Sequence, residues 1–280
     1  MTVHSSQSLR AALAAVEKSV DRRARRDADP VSFVHRYSDP RDQEVVALVA
    51  SSLAFGNVKA IKAKVGEALD RIGPARDLAD LQQRLRGWKH RVFSGDDVAR
   101  LVFGARELQR EHGSLGACFA KNYTGDLRGA IGAFVTKLRE AGGLKKHKTR
   151  RGPSHLLPST PGKSAMKRFL LFLRWMVRPA DGVDLGLWSG LVPTKALVIP
   201  VDVHIHKLSR NLGLTKRRLA TWDTAVEITQ SLATLDPNDP VRFDFALCHM
   251  GMLQRCPSRR DAKRCDGCPV MPVCVHWEKN

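Results

Sequence analysis

The stretch Cys256-Pro-Ser-Arg-Arg-Asp-Ala-Lys-Arg-Cys265-Asp-Gly-Cys268-Pro-Val-Met-Pro-Val-Cys274 places four of the six cysteines within nineteen residues, spaced C-x8-C-x2-C-x5-C. Thiolates crowded this closely suit a metal centre: zinc takes four in a tetrahedron, and an iron–sulfur cluster takes one per iron. The spacing alone leaves zinc and a 4Fe-4S cluster open. Two disulfides could also be drawn through the same residues. Against them, Met1-Thr-Val-His-Ser-Ser-Gln-Ser8 lacks the basic-then-apolar order of a secretion signal, and thiols of cytoplasmic proteins stay reduced. A cytoplasmic protein is therefore expected. A tail built this way is closed by its ligands rather than by a core, so the fold must be read from what precedes it.

Immediately upstream, Phe243, Phe245, Ala246, Leu247, Met250 and Leu253 recur with a helical period and deliver the chain to Cys256. Further back, helices are expected over Ser8–Arg26, from Asp39 or Asp42 through Leu53, and over Val58–Ile72, with Gly56-Asn57 as the turn between the last two. Leu78–Trp88, Asp96–Glu111, Leu115–Ala120 and Leu127–Ala141 follow, with Ser94 or Asp96 as a cap. A Pro/Gly turn ending at Gly162 opens a helix that carries Met166, Phe169, Leu170, Leu173 and Trp175. Asp202 stands as an N-cap before Ile205, Leu208 and Leu212, and Arg218–Leu235 is helical again. Sustained strand alternation is lacking, so the expected fold is all-α. The expected parts are an N-terminal helical segment (1–40), a helical lobe (41–155), a second lobe packed with the N-terminal segment (156–255) and the cysteine loop (256–280). The two lobes are expected to flank a cleft.

The formal charge of +19, from 47 Lys/Arg against 28 Asp/Glu, raises self-repulsion that a balanced enzyme does not need. Nucleic acid is the polyanion best suited to offset it. The excess is uneven: residues 141–180 hold ten Lys/Arg and no acid. Within that window Lys145, Lys146, Lys148, Arg150 and Arg151 form a basic loop suited to phosphates. The helix start after Gly162 adds Lys163, Lys167 and Arg168 to exposed backbone amides. Gly162-Lys163-Ser164 ends like a phosphate-binding loop but lacks its upstream glycine pattern, which argues against a nucleoside triphosphate site. No apolar run reaches about 18 residues, so no membrane partner is expected.

Two features now carry a resemblance. Ile199-Pro-Val-Asp202-Val-His204-Ile and the terminal C-x2-C-x5-C resemble the helix-hairpin-helix DNA glycosylases, the superfamily of endonuclease III and the 8-oxoguanine glycosylases. Lys167-Arg-Phe-Leu-Leu-Phe-Leu-Arg-Trp-Met-Val-Arg178 and Asp236-Pro-Asn-Asp-Pro240 look like the branch known as the DUF2400 family. The resemblance implies a 4Fe-4S cluster on Cys256, Cys265, Cys268 and Cys274, with zinc as the alternative. It also implies two helical lobes around bent double-stranded DNA and a damaged base flipped out of the stack. The usual C-x6-C opening is here C-x8-C, and the usual glycine-rich hairpin with its catalytic lysine is absent before the aspartate. Leu157–Lys167 is the modified counterpart, which leaves Lys167 and Lys163 as rival nucleophiles.

Under this reading Asp202 stabilises the positive charge that develops on the sugar, a role compatible with capping a helix. His204, His206, Arg210, Arg259 and Arg260 meet the DNA backbone, and Asn57 or Phe55 fills the space a flipped base leaves. Trp188, Trp175 and Tyr37 are stacking candidates, whereas Cys118 and Cys248 read as small core residues. The expected activity is removal of a damaged base, such as the oxidised purine 8-oxoguanine, with lysine-dependent AP lyase activity as an option. The alternative is a noncatalytic lesion- or structure-binding protein with a structural metal centre. A monomer associated with the nucleoid is expected in either case.

Overall fold

The computed structural model describes residues 6–73, 78–144, 151–158 and 162–277. They fold as helices, apart from one hairpin with two residues in each strand. The chain divides into two compact units: Met1–Arg25, Lys163–Leu170 and Leu197–Asn280 form one, and Arg26–Gly162 with Leu171–Ala196 form the other. The first helix falls in the C-terminal unit, with which the N-terminal segment was expected to pack, whereas residues 171–196, expected in the second lobe, fall in the unit built mainly from 26–162.

The helix expected over Ser8–Arg26 is two helices, α1 (Ser6–Ser19) and α2 (Arg22–Ala28). Asp21 makes the break: its Oδ1 accepts the Ala24 amide at 3.0 Å and starts the second helix afresh. In the larger unit, Asp39 caps α3 (Pro40–Ser52), accepting the Arg41 amide at 2.8 Å, with Pro40 set at the first helical position. Then come α4 (Val58–Ile72) and the short α5 (Leu81–Arg84), where a helix as far as Trp88 was expected. The chain instead turns into β1 (Lys89–His90) and β2 (Phe93–Ser94), joined through Arg91 at a left-handed φ of 54°. Gly95 then passes so near the Leu85 carbonyl that a Cβ would sit 1.9 Å from its oxygen. Ser94 and Asp97 form a reciprocal capping box at the head of α6 (Gly95–His112).

Helix α6 packs against α3, α7 (Leu115–Ala120) and α8 (Leu127–Ala141), and the short α9 (Gly152–Leu156) lies on β2. Residues 171–196 close this core. Trp188, 1% exposed, sits among Phe119, Phe134 and Phe172, and its indole N–H donates to Glu44 Oε1 at 2.7 Å. Trp175 is fully buried as well. Both tryptophans therefore leave the stacking candidates, because their rings are consumed by the core. A buried ion cluster folds the following loop back onto α10 (Lys167–Val177): Arg174 Nε donates to Asp184 Oδ1 at 3.1 Å, and Arg178 bonds Asp184 Oδ2.

In the C-terminal unit, α11 (Val203–Asn211) packs on α13 (Asp244–Leu253). Helix α1 lies on α13 and on the 3-10 turn Met271–Val273. Helix α12 (Trp222–Ala233), capped by Thr221, and the short α14 (Ala262–Cys265), inside the cysteine loop, complete it.

Candidate functional site

Asp202, Lys163, Lys167 and all four tail cysteines belong to the same compact unit. Val201 and Asp202 run extended out of Pro200, and the aspartate then turns the chain into α11. Its Oδ1 accepts the His204 amide at 2.9 Å and the Ile205 amide at 2.8 Å. Oδ2 accepts from the Cys248 thiol at 3.5 Å. The side chain is half-buried, and the next residue, Val203, is 75% exposed. Asp202 is thus an N-cap that keeps one oxygen away from the helix amides.

Cys248 was expected to be an ordinary core residue, yet it stands half-buried against that oxygen. Gly251, one turn further along α13, faces the start of α11: a Cβ there would meet the His204 Cβ at an ordinary contact distance of 3.4 Å. No short-range pattern links Asp202 to a cysteine 46 residues away. The only sequence hint is that Cys248 and Gly251 share one helical face.

Lys163 is exposed, and its carbonyl accepts the Trp222 amide at 3.4 Å. Ser164 forms an isolated antiparallel bridge with Thr221 and accepts the Met166 amide on its hydroxyl at 3.2 Å. Met166, a non-glycine residue at φ 51°, then sends the chain into α10, whose first residue, Lys167, is half-buried. Beside it, burial pulls the Arg168 guanidinium down to about 10, so this arginine sits largely among protein atoms.

Among the expected phosphate contacts, Arg210 and Arg259 are exposed. His206 pairs through Nε2 with the Arg217 carbonyl at 3.0 Å, and Arg260 lies over the Trp277 ring at 4.2 Å. His204 is half-buried over Gly251. Asn57 and Arg151 belong to the other unit, and Lys145, Lys146, Lys148 and Arg150 lie outside the described residues. Asn57 spends its side chain on the cap of α4, accepting the Lys59 amide at 2.9 Å. Phe55, 40% exposed, has the Arg91 guanidinium 5.7 Å and the His155 ring 5.9 Å from its own ring. Arg91 and His155 carried no signal in the sequence, because a two-residue strand is too short to show alternation.

None of the six cysteines forms a disulfide. Cys265, Cys268 and Cys274 are strung on consecutive turns: the Cys268 amide donates to the Cys265 carbonyl at 3.1 Å, Met271 to Cys268 at 3.0 Å and Cys274 to Met271 at 3.2 Å. Cys256 stands outside that chain of turns. The Asn211 side-chain amide reaches its sulfur at 3.2 Å. Burial pushes the Cys256 thiol up, against the Asn211 hydrogen bond, and raises Cys268 against the amides of Val270 and Met271. Burial also raises Cys274, to about 11, with the other three tail cysteines adding to the rise.

The four sulfurs therefore lie within electrostatic reach of one another. Ionising all of them together requires a cation to offset burial and mutual repulsion. Among the described residues no group of three or more His, Cys, Asp or Glu is already drawn into metal-ligand geometry. The donor chemistry nevertheless suits a thiolate-bound metal, since three of the four sulfurs have an amide directed at them.

A family model described as "Protein of unknown function (DUF2400)" matches residues 29–253 and stops short of Cys256. No curated protein and no solved structure gives a match. Among the described residues no helix is long and apolar enough to cross a membrane.

Proposed function

The chain belongs to the DUF2400 family, whose description assigns no activity, and we propose that it is a DNA glycosylase with a helix-hairpin-helix type of fold, acting on a damaged base in double-stranded DNA. The observation that carries this reading is the divided carboxylate of half-buried Asp202: Oδ1 holds two helix amides, while Oδ2 receives the Cys248 thiol and no helix amide. A carboxylate held this way is preorganised, so it need not reorganise when positive charge forms nearby. The net charge of +19 supports a polyanionic partner.

With the base flipped out, the bond between C1′ and the base nitrogen breaks, and its electron pair leaves with the base. Asp202 Oδ2 faces the positive charge left on the sugar, and water adds to C1′ after losing a proton to the carboxylate or to solvent. The lysine-dependent variant replaces that water with the neutral amine of Lys167 or Lys163: the amine bonds C1′ as the base leaves, loses a proton while the C1′–O4′ bond opens to give an imine, and loss of a C2′ proton then expels the 3′ phosphate and cuts the strand. Lys167 is half-buried at the first residue of α10, whereas Lys163 is exposed. Lys163 and the amides after Gly162 suit a phosphate, as do Arg210 and Arg259. The Asn57 side-chain carbonyl is committed to its cap, whereas Phe55 is 40% exposed.

Cys256, Cys265, Cys268 and Cys274 would hold a 4Fe-4S cluster, or zinc in the alternative, which would serve as a cross-link for the loop. Asp202 as a cap alone would suit a noncatalytic lesion-binding protein, since the double amide contact is what an N-cap makes in either case.

One experiment separates the two. Purified protein is incubated with duplexes bearing different lesions, and base release and strand scission are measured separately. Release that is lost in Asp202→Asn supports the glycosylase. Unchanged DNA affinity in that variant, with no base released from any duplex by either protein, supports the binder. Borohydride trapping with Lys163→Ala and Lys167→Ala then assigns the nucleophile.

A further inference from the structure

We propose that Asn211 is the positioning residue that holds Cys256 as a metal ligand and straps both ends of the cysteine loop to the helix that begins at Asp202. The proposal rests on reading the four cysteines as a metal centre.

Three of the four sulfurs are positioned by their own backbone, because consecutive turns carry the chain from Cys265 to Cys274. Cys256 is eight residues removed from the next cysteine and follows Arg255, which lies at φ 47°. It has no part in those turns. Asn211, only 5% exposed at the end of α11, supplies what the local backbone does not. Its Nδ2 donates to Cys256 Sγ at 3.2 Å and to the Pro257 carbonyl at 2.9 Å.

At the far end of the loop, the Asn211 Oδ1 meets His276 Nε2 at 3.1 Å, and the Asn211 carbonyl accepts the Val275 amide at 2.8 Å. The Pro257 carbonyl can only accept, so Nδ2 must face it; Oδ1 then faces His276, which donates. One buried side chain thereby closes a loop of about twenty residues at both ends. An amide N–H aimed at sulfur favours the thiolate over the thiol, and partners of this kind orient metal ligands and tune the metal they hold.

The test uses the full-length chain, purified anaerobically and loaded either with ferrous iron and sulfide or with zinc. Asn211→Leu keeps the volume and neutrality of the side chain, and Asn211→Asp keeps its shape and an acceptor. Metal per chain, the visible absorption of the iron-loaded form, its midpoint potential and the rate of metal release to a chelator are compared with the parent. The expected result is release about 10- to 100-fold faster in both variants. Altered sulfur-to-iron absorption and a lower potential are also expected, because a donor to sulfur stabilises the more negative reduced state. A purely structural asparagine would leave the absorption and the potential unmoved.

Parent-like release, spectrum and potential in either folded variant overturn the proposal. A parent chain that takes up neither iron nor zinc removes the metal-centre reading beneath it, and the proposal falls for that separate reason.

Discussion

Glu44 and Asp202 are carboxylates met by backbone amides, and their second oxygens end in different surroundings. Glu44, 3% exposed, has both oxygens taken. Oε1 accepts from the Gly116 amide at 2.9 Å and the Trp188 indole at 2.7 Å; Oε2 accepts from the Leu115 amide at 2.9 Å and the Gln109 side chain at 2.7 Å. It caps α7, anchors Trp188 and has nothing left for chemistry. Asp202 satisfies a helix with one oxygen and takes only the Cys248 thiol on the other. Amide contacts alone do not separate the two carboxylates; what meets the second oxygen does, an amide and a side-chain N–H for Glu44 Oε2 and a single thiol for Asp202 Oδ2.

The sharpest way to break this comparison is to remove the saturated group. Glu44→Ala strands four buried donors, so stability in denaturant is expected to fall by about 3–5 kcal/mol. A loss below about 1 kcal/mol would show that the network is dispensable. Asp202→Asn makes the opposite bargain. Asparagine caps a helix nearly as well, so unfolding should move by only a few tenths of a kcal/mol. Base release from a cleaved lesion duplex should nevertheless fall by about 10²- to 10³-fold, because the lost charge faces the developing cation. An equal loss of fold and activity would make Asp202 a second Glu44.

Cys248→Ala removes a single neutral donor from Oδ2 and should change base release by less than about tenfold. A larger change would show the thiol to be part of the chemistry.

The smallest effect expected is a dependence on pH. Cys274 is raised from an unfolded value near 9 to about 11. Between those limits the folded metal-free chain keeps a proton that the unfolded chain loses. The thiol's contribution is therefore whole below pH 9 and is lost as pH rises towards 11. Melting of the metal-free protein should drop through that window, and the metal-loaded protein should not follow it. A flat metal-free profile would place Cys274 in a more solvated setting.

Most helices were legible because their signals are local. Asp39-Pro40, the Ser94 cap and the Gly142 stop each act within a turn of the residue that shows them. Two expectations missed for the same reason in reverse. Asp21 restarts a helix that periodicity carried through to Arg26, and the hairpin at residues 89–94 is too short for any period to reveal. At the site, Asp202 and the four cysteines stood out by type and spacing, whereas Glu44 carried no signal in the sequence. Its partners lie from 65 to 144 residues away, and nothing in Gln43-Glu44-Val45 records them. Cys248 and Asn211 were hidden in the same way.

The sequence by itself determined a largely helical chain, a strongly basic surface, a thiol-rich tail and an aspartate at a helix start, since each follows from composition or from contacts within about a turn. Only the tertiary structure decided which carboxylate is saturated, which tryptophans are lost to the core, and which asparagine reaches Cys256. Those outcomes depend on donors and acceptors brought together from distant parts of the chain, and a buried polar group takes its role from the partners that folding supplies.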